Sequence, residues 1–236
     1  MYLDKIILES AQQDLDKKIE RFKGRKVSEL KELLRVEYLN NKASFVKLAR
    51  AMLNIKGNKF ELGEHNVEVV LKTIRLTGMK KPAEAMSFMP IDFNKWISET
   101  QWEQSSLYKY FSEKILVFFI FQQYPSGKRV DDSEMTFFDA KVWKMSQYDL
   151  NHGLKEIWEK VREIIIENKL EIVEVTQKNG KVIYKNNLPS SKFNSLGHLR
   201  PGGRNGEDKS DLPTGQRITK QRFWFNAEYV KEIIDI

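Results

Sequence analysis

The chain has no cysteine among its 236 residues, so thiol catalysis, disulfide stapling and cysteine-ligated zinc are excluded. Histidine is nearly as scarce. His65, His152 and His198 are the only three, and their separations do not form a metal-ligand motif. Proline occurs six times, and no Gly-, Ser- or Pro-rich tract, internal repeat or low-complexity segment marks a long linker. No apolar run approaches the roughly 20 residues of a membrane-spanning helix. The polar, acidic N-terminus is not a signal peptide, so no membrane partner is expected and the predicted location is the cytoplasm.

What is present is enough to fold. Hydrophobic residues make up 41% of the chain, with five Trp and 14 Phe, which suits one large domain or two small ones. Net charge is +7, and it is unevenly spread: between Lys192 and Arg222 seven Lys or Arg face three Asp or Glu. A local excess of cations suits a polyanion, because neutralising phosphates releases counterions.

Periodicity divides the chain. Leu15, Ile19 and Phe22, then Val27, Leu30, Leu33 and Leu34, then Phe45, Leu48, Ala49, Met52 and Leu53 recur at helical spacing, punctuated by Gly24 and Asn40-Asn41. From Asn66 the period becomes two. Val67, Val69 and Leu71 face one way and Glu68, Val70 and Lys72 the other, as in a strand at the edge of a core. The apolar run 115–121 predicts a central strand, and 136–145 continues the sheet. Leu154, Ile157, Trp158, Val161 and Ile165 predict a helix over 152–167, and 171–184 folds back on Asn179-Gly180 as a hairpin. The predicted fold class is α/β, a mixed β-sheet flanked by helices with an N-terminal helical segment. One domain is expected over 1–236, helical to about residue 56, with the sheet core and loops beyond.

The densest chemistry lies near the end. His198-Leu-Arg-Pro-Gly-Gly-Arg-Asn205 and Leu212-Pro-Thr-Gly-Gln-Arg-Ile-Thr-Lys-Gln-Arg222 put arginines, glycines and amide side chains on two neighbouring loops, followed by Phe223-Trp224-Phe225. Such a set grips phosphates and reads base edges. The aromatics are read as core and loop anchors. His198 is assigned a hydrogen bond to the loop backbone, and His65 and His152 are read as surface or cap residues.

In order, the helical start, Val70-Leu71-Lys72-Thr73, Met86-Ser87-Phe88, Trp102-Glu103, the apolar strand and the His-Leu-Arg-Pro and Leu-Pro-Thr-Gly segments resemble the MutH family of mismatch-repair nickases. Glu84-Ala-Met-Ser-Phe88, Thr219-Lys-Gln-Arg-Phe-Trp-Phe-Asn226 and Tyr229 bring the chain nearer to the C-terminal half of the Sau-type restriction endonucleases that cut GATC. The likeness runs over nearly the whole chain and implies a MutH-like, restriction-endonuclease-like fold.

Members of this group hold Mg²⁺ with a Glu on an early helix, an Asp, and a Glu-x-Lys on the following strand; the metal activates water and a lysine assists. Carried over by position, the lysine is Lys72, and the three carboxylate positions hold Arg50, Gly63 and Val70. The resemblance thus implies a pseudo-nuclease with no catalytic residues, metal or cofactor of its own, the parent nuclease's active half using Mg²⁺. The competing reading is an active Mg²⁺-dependent endonuclease with carboxylates relocated to Glu61, Glu64 and Glu68 beside Lys72, although a shift of two strand positions moves a side chain by roughly 6.6 Å.

The resemblance also implies which residues touch DNA. Arg200, Pro201, Gly202 and Gly203 form the first reading loop, with Arg204 and Asn205 behind it; Arg200 leads for a bidentate contact to guanine. Thr214, Gly215, Gln216 and Arg217 form the second loop, Arg217 standing where MutH has an aromatic residue. Thr219, Lys220 and Gln221 suit phosphate or adenine contacts. The implied partners are duplex DNA containing GATC and the N-terminal catalytic domain of the same parent protein, in a bacterial cytoplasm. Three readings stay open: a DNA-binding effector domain, the active endonuclease, and an interaction domain that has kept only the fold.

Overall fold

The computed structural model of the chain describes residues 2–37, 42–123, 130–180 and 182–235. In chain order come α1 (Tyr2–Ile19), a 3-10 turn (Glu20–Phe22), α2 (Val27–Leu34), α3 (Lys42–Leu53), β1 (Lys59–Leu62), β2 (Val67–Leu76), β3 (Met86–Pro90), α4 (Phe93–Ser98), α5 (Ser106–Glu113), β4 (Ile115–Gln122) and β5 (Thr136–Lys144). A short α6 (Gln147–Asp149) passes through a π turn (Leu150–Leu154) into α7 (Lys155–Ile166). Strands β6 (Ile172–Thr176), β7 (Val182–Asn186), β8 (Gly197–Pro201), β9 (Lys209–Asp211), β10 (Arg217–Thr219) and β11 (Gln221–Phe225) precede α8 (Ala227–Ile234). The chain divides into two compact units. One comprises Met1–Glu84, Lys114–Lys144 and Lys231–Ile236, the other Ala85–Glu113 and Met145–Val230.

In the first unit the helical spacing read from sequence becomes a buried face. Ala11, Leu15 and Ile19 of α1, Val27 and Leu30 of α2, and Phe45, Leu48, Ala49 and Met52 of α3 join Val69, Leu71, Val117, Phe119, Phe121 and Phe137 in one core. Leu33, grouped with the α2 face in the sequence, is 55% exposed instead. α2 ends at Arg35, whose left-handed φ of 52° turns the chain away.

The sheet order is β1-β2-β4-β5, with β2 and β4 parallel and the other pairs antiparallel. The fold is therefore α/β with a mixed sheet. Every residue of β4 is buried, as its unbroken apolar run requires of a central strand. β2, read as a strand at the edge of the core, is interior to the sheet: β1, a four-residue Lys-Phe-Glu-Leu segment too short and polar to register as a strand, covers its outer side. The 24–27 backbone bonds the start of β5's outer edge, and a side chain closes the edge further on. Gln12 of α1 donates Nε2–H to Ala140 O at 3.0 Å and accepts Val142 N–H at 2.7 Å, taking the place of a missing strand.

In the second unit β3, β11 and β8 form an antiparallel sheet in the order β3-β11-β8. Phe88, Phe111, Phe223 and Phe225 pack edge-on and tilted behind it, with ring centroids 4.4–6.3 Å apart. The anchoring role read for Phe223 and Phe225 is thus a core role, both being fully buried. The helix read over 152–167 is α7 with its preceding π turn, and the hairpin read at Asn179-Gly180 is β6–β7, with Gly180 at φ +77°.

Candidate nucleic-acid interface

The segment read as the first loop is mostly strand. His198, Leu199, Arg200 and Pro201 lie on β8 and pair with β11, so that His198 faces Trp224 and Arg200 faces Arg222. Alternation sends Leu199, Phe223 and Phe225 into the core and leaves His198, Arg200, Arg222 and Trp224 on the other face. The Arg200 guanidinium lies 5.1 Å from the Trp224 ring centroid, a cation–π contact that holds an exposed arginine in one orientation.

Beyond β8 the chain forms a true loop, 202–208. Gly202 N–H donates to Lys220 O at 2.8 Å. A Cβ on Gly202 would lie 2.2 Å from Arg222 Cγ, and one on Gly203 would lie 2.9 Å from Asp208 O. These two glycines answer to the protein's own packing, not only to close approach by a ligand. Asp208 organises the loop: its carboxylate accepts Arg204 N–H at 3.0 Å and pairs with Lys220 Nζ at 2.6 Å. The Lys220 hydrogen bond and the Arg204 N–H hold the Asp208 carboxyl below its usual range. Asn205 Oδ1 accepts the N–H groups of Glu207 and Asp208, closing a turn.

The second loop is the tip of the β9–β10 hairpin. Gly215 sits at φ +81° and donates to Leu212 O, while Leu212 N–H donates to Gln216 O, leaving Thr214 and Gly215 exposed at the apex. Gln216 is anchored through Nε2 to Leu170 O at 3.2 Å. Thr219 donates Oγ1–H to Gly206 O, tying the hairpin to the first loop. Lys209 lies over Tyr184 of β7 at 5.2 Å, and both line a cavity of about 200 Å³ with Arg217 and Thr219.

Charge on this surface is less free than the sequence suggests. Lys209 pairs with Glu207, Arg217 with Asp211, and Lys220 with Asp208. Arg222 is turned inward, donating to Phe88 O at 2.9 Å. Arg200 and Arg204 make no ion pair among the described residues, and both are exposed. Gln221 departs from the expected set: it is 1% exposed, and its Nε2 is spent on Thr219 O at 2.7 Å, so it shapes the strand junction and presents nothing to solvent.

His198 also differs from its reading. Its Nδ1 meets Asn226 Oδ1 at 2.7 Å, and it is Asn226 Nδ2 that bonds the backbone, at the carbonyls of Ser191, Asn194 and Ser195. Because Nδ2 is surrounded by carbonyl acceptors, Oδ1 must face the ring and Nδ1 must carry the proton. His152 bonds Tyr148 O through Nδ1 in the π turn, and His65 lies exposed in the β1–β2 turn.

The positions to which the resemblance assigns metal ligands fall on α3, the β1–β2 turn and β2. Arg50 donates Nε–H to Asn58 Oδ1 at 2.9 Å. Gly63 has φ +72°, and a Cβ there would lie 2.9 Å from Ala11 N and 3.1 Å from Ala11 Cα. An aspartate there would be strained by that φ and would push against the α1 backbone. Across the sheet Val70 stands beside Leu116 and then Trp143, and Lys72 beside Phe118 and then Lys141, rows without a carboxylate. Glu68 pairs with Lys59 at 3.0 Å, opposite Glu61 on the hairpin, while Glu64 lies in the turn with its N–H on Ser10 Oγ. Among the described residues no three His, Cys, Asp or Glu side chains gather to hold a metal ion. These residues do not fit Mg²⁺.

No family model matches the chain. The type II restriction enzyme Sau3AI of Staphylococcus aureus is 26% identical over 223 aligned residues, covering 80% of this chain and 44% of that protein. The chain is related to a restriction endonuclease. It spans less than half the length of that relative. No helix among the described residues is long and apolar enough to cross a membrane.

Against that relationship, the residues that sequence reasoning missed are those that hold the exposed ones in place. Asp208 holds the Arg204 N–H and the Lys220 ammonium, and Asn226 bonds three backbone carbonyls of the 191–195 segment beside His198. Asn226 carries a signal of sorts, since an Asn directly before a helical run reads as a cap. Its partner His198 is 28 positions away, a pairing with no local signature.

Proposed function

We propose that this chain is a sequence-specific duplex-DNA-binding domain with a MutH-like fold that reads GATC and does not cut it. The observation that carries the reading is Gly63. Where the nucleases resembled by this chain need an aspartate, the backbone is left-handed and lies against α1 with no room for a side chain. The Arg50 bond to Asn58 and the absence, among the described residues, of a carboxylate beside Val70 support the same conclusion. The relationship to a restriction enzyme supports DNA as the ligand.

In this reading the contact surface consists of Arg200, Pro201, Gly202, Gly203, Arg204 and Asn205 from the first segment, and Thr214, Gly215, Gln216, Arg217, Thr219 and Lys220 from the second. Gln221 serves them from below. Arg200, oriented by Trp224, offers a planar fork to the O6 and N7 acceptors of guanine. The domain acts as the recognition and effector half of a type II restriction endonuclease in a bacterial cytoplasm. Mg²⁺ and the cleavage chemistry belong to an N-terminal catalytic half of the same fold.

A gel-shift titration at fixed salt on two duplexes, one with GATC and one with those four bases scrambled, tests the reading. Tighter binding to GATC with both strands intact in Mg²⁺ is expected, and affinity should fall steeply with salt. Equal binding would leave an interaction domain that has kept the fold alone, and Mg²⁺-dependent scission would overturn the pseudo-nuclease.

A further inference from the structure

His198 is a buried imidazole to which the proposed DNA contacts assign nothing. It lies 7% exposed on the face of β8 that also carries Arg200, two residues on. Both side chains line a cavity of about 530 Å³, together with Ser191, Ser195 and Glu228. Nδ1 is committed to Asn226 as a donor. Nε2, at the far corner of the ring, makes no hydrogen bond among the described residues and is left as the nitrogen that can meet a ligand.

We propose that this cavity, beside the guanine-reading Arg200, is an anion subsite for a backbone phosphate of bound DNA, held by the Nε2–H of a His198 imidazolium that takes up one proton as the phosphate arrives. The inference rests on the DNA-binding reading. Arg200, engaged with guanine, adds a permanent positive charge at the cavity's rim. Ser191 and Ser195 bring hydroxyls able to donate to phosphate oxygens. Asn226 fixes the ring so that a single proton, gained at Nε2, turns an acceptor into a charged donor.

In the free protein the imidazole is biased toward its neutral form. Burial pushes its pKa below the ordinary 6.5, Asn226 opposes that, and Arg200 adds to it. The charged residues lining the cavity are Arg200 from β8 and Glu228 from α8; β11 faces the ring with Trp224, and the 191–195 segment lines the cavity with neutral side chains. A phosphate reverses the balance. With the pKa raised in the complex, affinity is greatest below the free-state pKa and declines as pH rises, by at most about tenfold per pH unit for one proton, up to the pKa of the complex. The Glu228 carboxylate opposes an anion in the same cavity.

The experiment is fluorescence anisotropy of the intact chain on a GATC duplex from pH 5.5 to 8 at constant ionic strength, for wild type, His198→Asn and Glu228→Gln. Asparagine keeps a donor toward Asn226 and removes Nε2. Wild-type affinity should weaken with rising pH, His198→Asn should lose that component, and Glu228→Gln should bind several-fold tighter. Glu228→Gln leaves the buried ring untouched, so it tests the subsite even if His198→Asn folds poorly. A wild-type pH profile in His198→Asn, or unchanged or weaker binding by Glu228→Gln, overturns the inference while DNA binding stands. Absence of wild-type binding at every pH overturns the DNA-binding reading, and this inference with it.

Discussion

The backbone N–H of Gly63 donates to Asp14 Oδ2 at 3.0 Å, fastening the β1–β2 turn to the middle of α1. The bond needs close contact, and close contact needs a residue without a side chain. One helix carboxylate thus anchors the turn at the position where the resemblance places a metal-binding aspartate. An aspartate there would cost the packing.

Gly63→Asp should therefore destabilise the protein by roughly 1–3 kcal/mol, the cost of a left-handed non-glycine residue, with the clash against Ala11 added. Urea unfolding followed by circular dichroism measures it. The triple variant Arg50→Glu, Gly63→Asp, Val70→Glu should remain unable to nick a GATC duplex in Mg²⁺; cleavage by it would show that the site is intact but for three side chains.

Acid should loosen the same anchor. Partial burial works to raise the Asp14 carboxyl, but the Lys18 ammonium and the Gly63 N–H outweigh it and hold it below the ordinary 3.8. A lowered carboxyl stabilises the fold fully above the unfolded-state value and loses that contribution as pH falls through its folded value. Asp14→Asn should flatten the loss of stability between about pH 4 and pH 2. Urea midpoints across that range, equally steep in both proteins, would count against the anchor.

Gln12→Ala should cost about 1–3 kcal/mol, because it strands the Ala140 carbonyl and the Val142 N–H at the edge of β5. Hydrogen exchange at Val142 should accelerate with it. Retained protection there would mean that another group closes the edge.

Arg200→Ala should lose about 1–3 kcal/mol on a GATC duplex and much less on random DNA, and Arg200→Lys should not restore the difference, since a lysine lacks the fork. Arg217→Ala should cost less on the same duplex, because Arg217 is already paired with Asp211 at 2.9 Å. Equal losses for Arg200→Ala on both duplexes would make Arg200 a phosphate contact.

Much of the scaffold was legible from residue order alone. The spacing of Leu15, Ile19, Phe45 and Leu48 announced helices, the unbroken apolar run of 115–121 a central strand, and Asn179-Gly180 a hairpin, because each signal is local and repeats with the period of its element. β1 was not legible, being four residues long with two charges. Neither was the strand character of His198–Pro201, whose β11 partner begins only after the intervening β9–β10 hairpin.

By itself the sequence determined the composition of the candidate surface, the presence of Arg, Gly and Val at positions 50, 63 and 70, and the exclusion of thiol chemistry. Only the tertiary structure decided which of those cations stay unpaired, that Gln221 turns inward, that Gly63 has no room for a side chain, and that His198 and Arg200 open on one cavity. Residue identity follows from the chain, but pairing, burial and free volume depend on distant segments brought together by packing, and no local pattern encodes them.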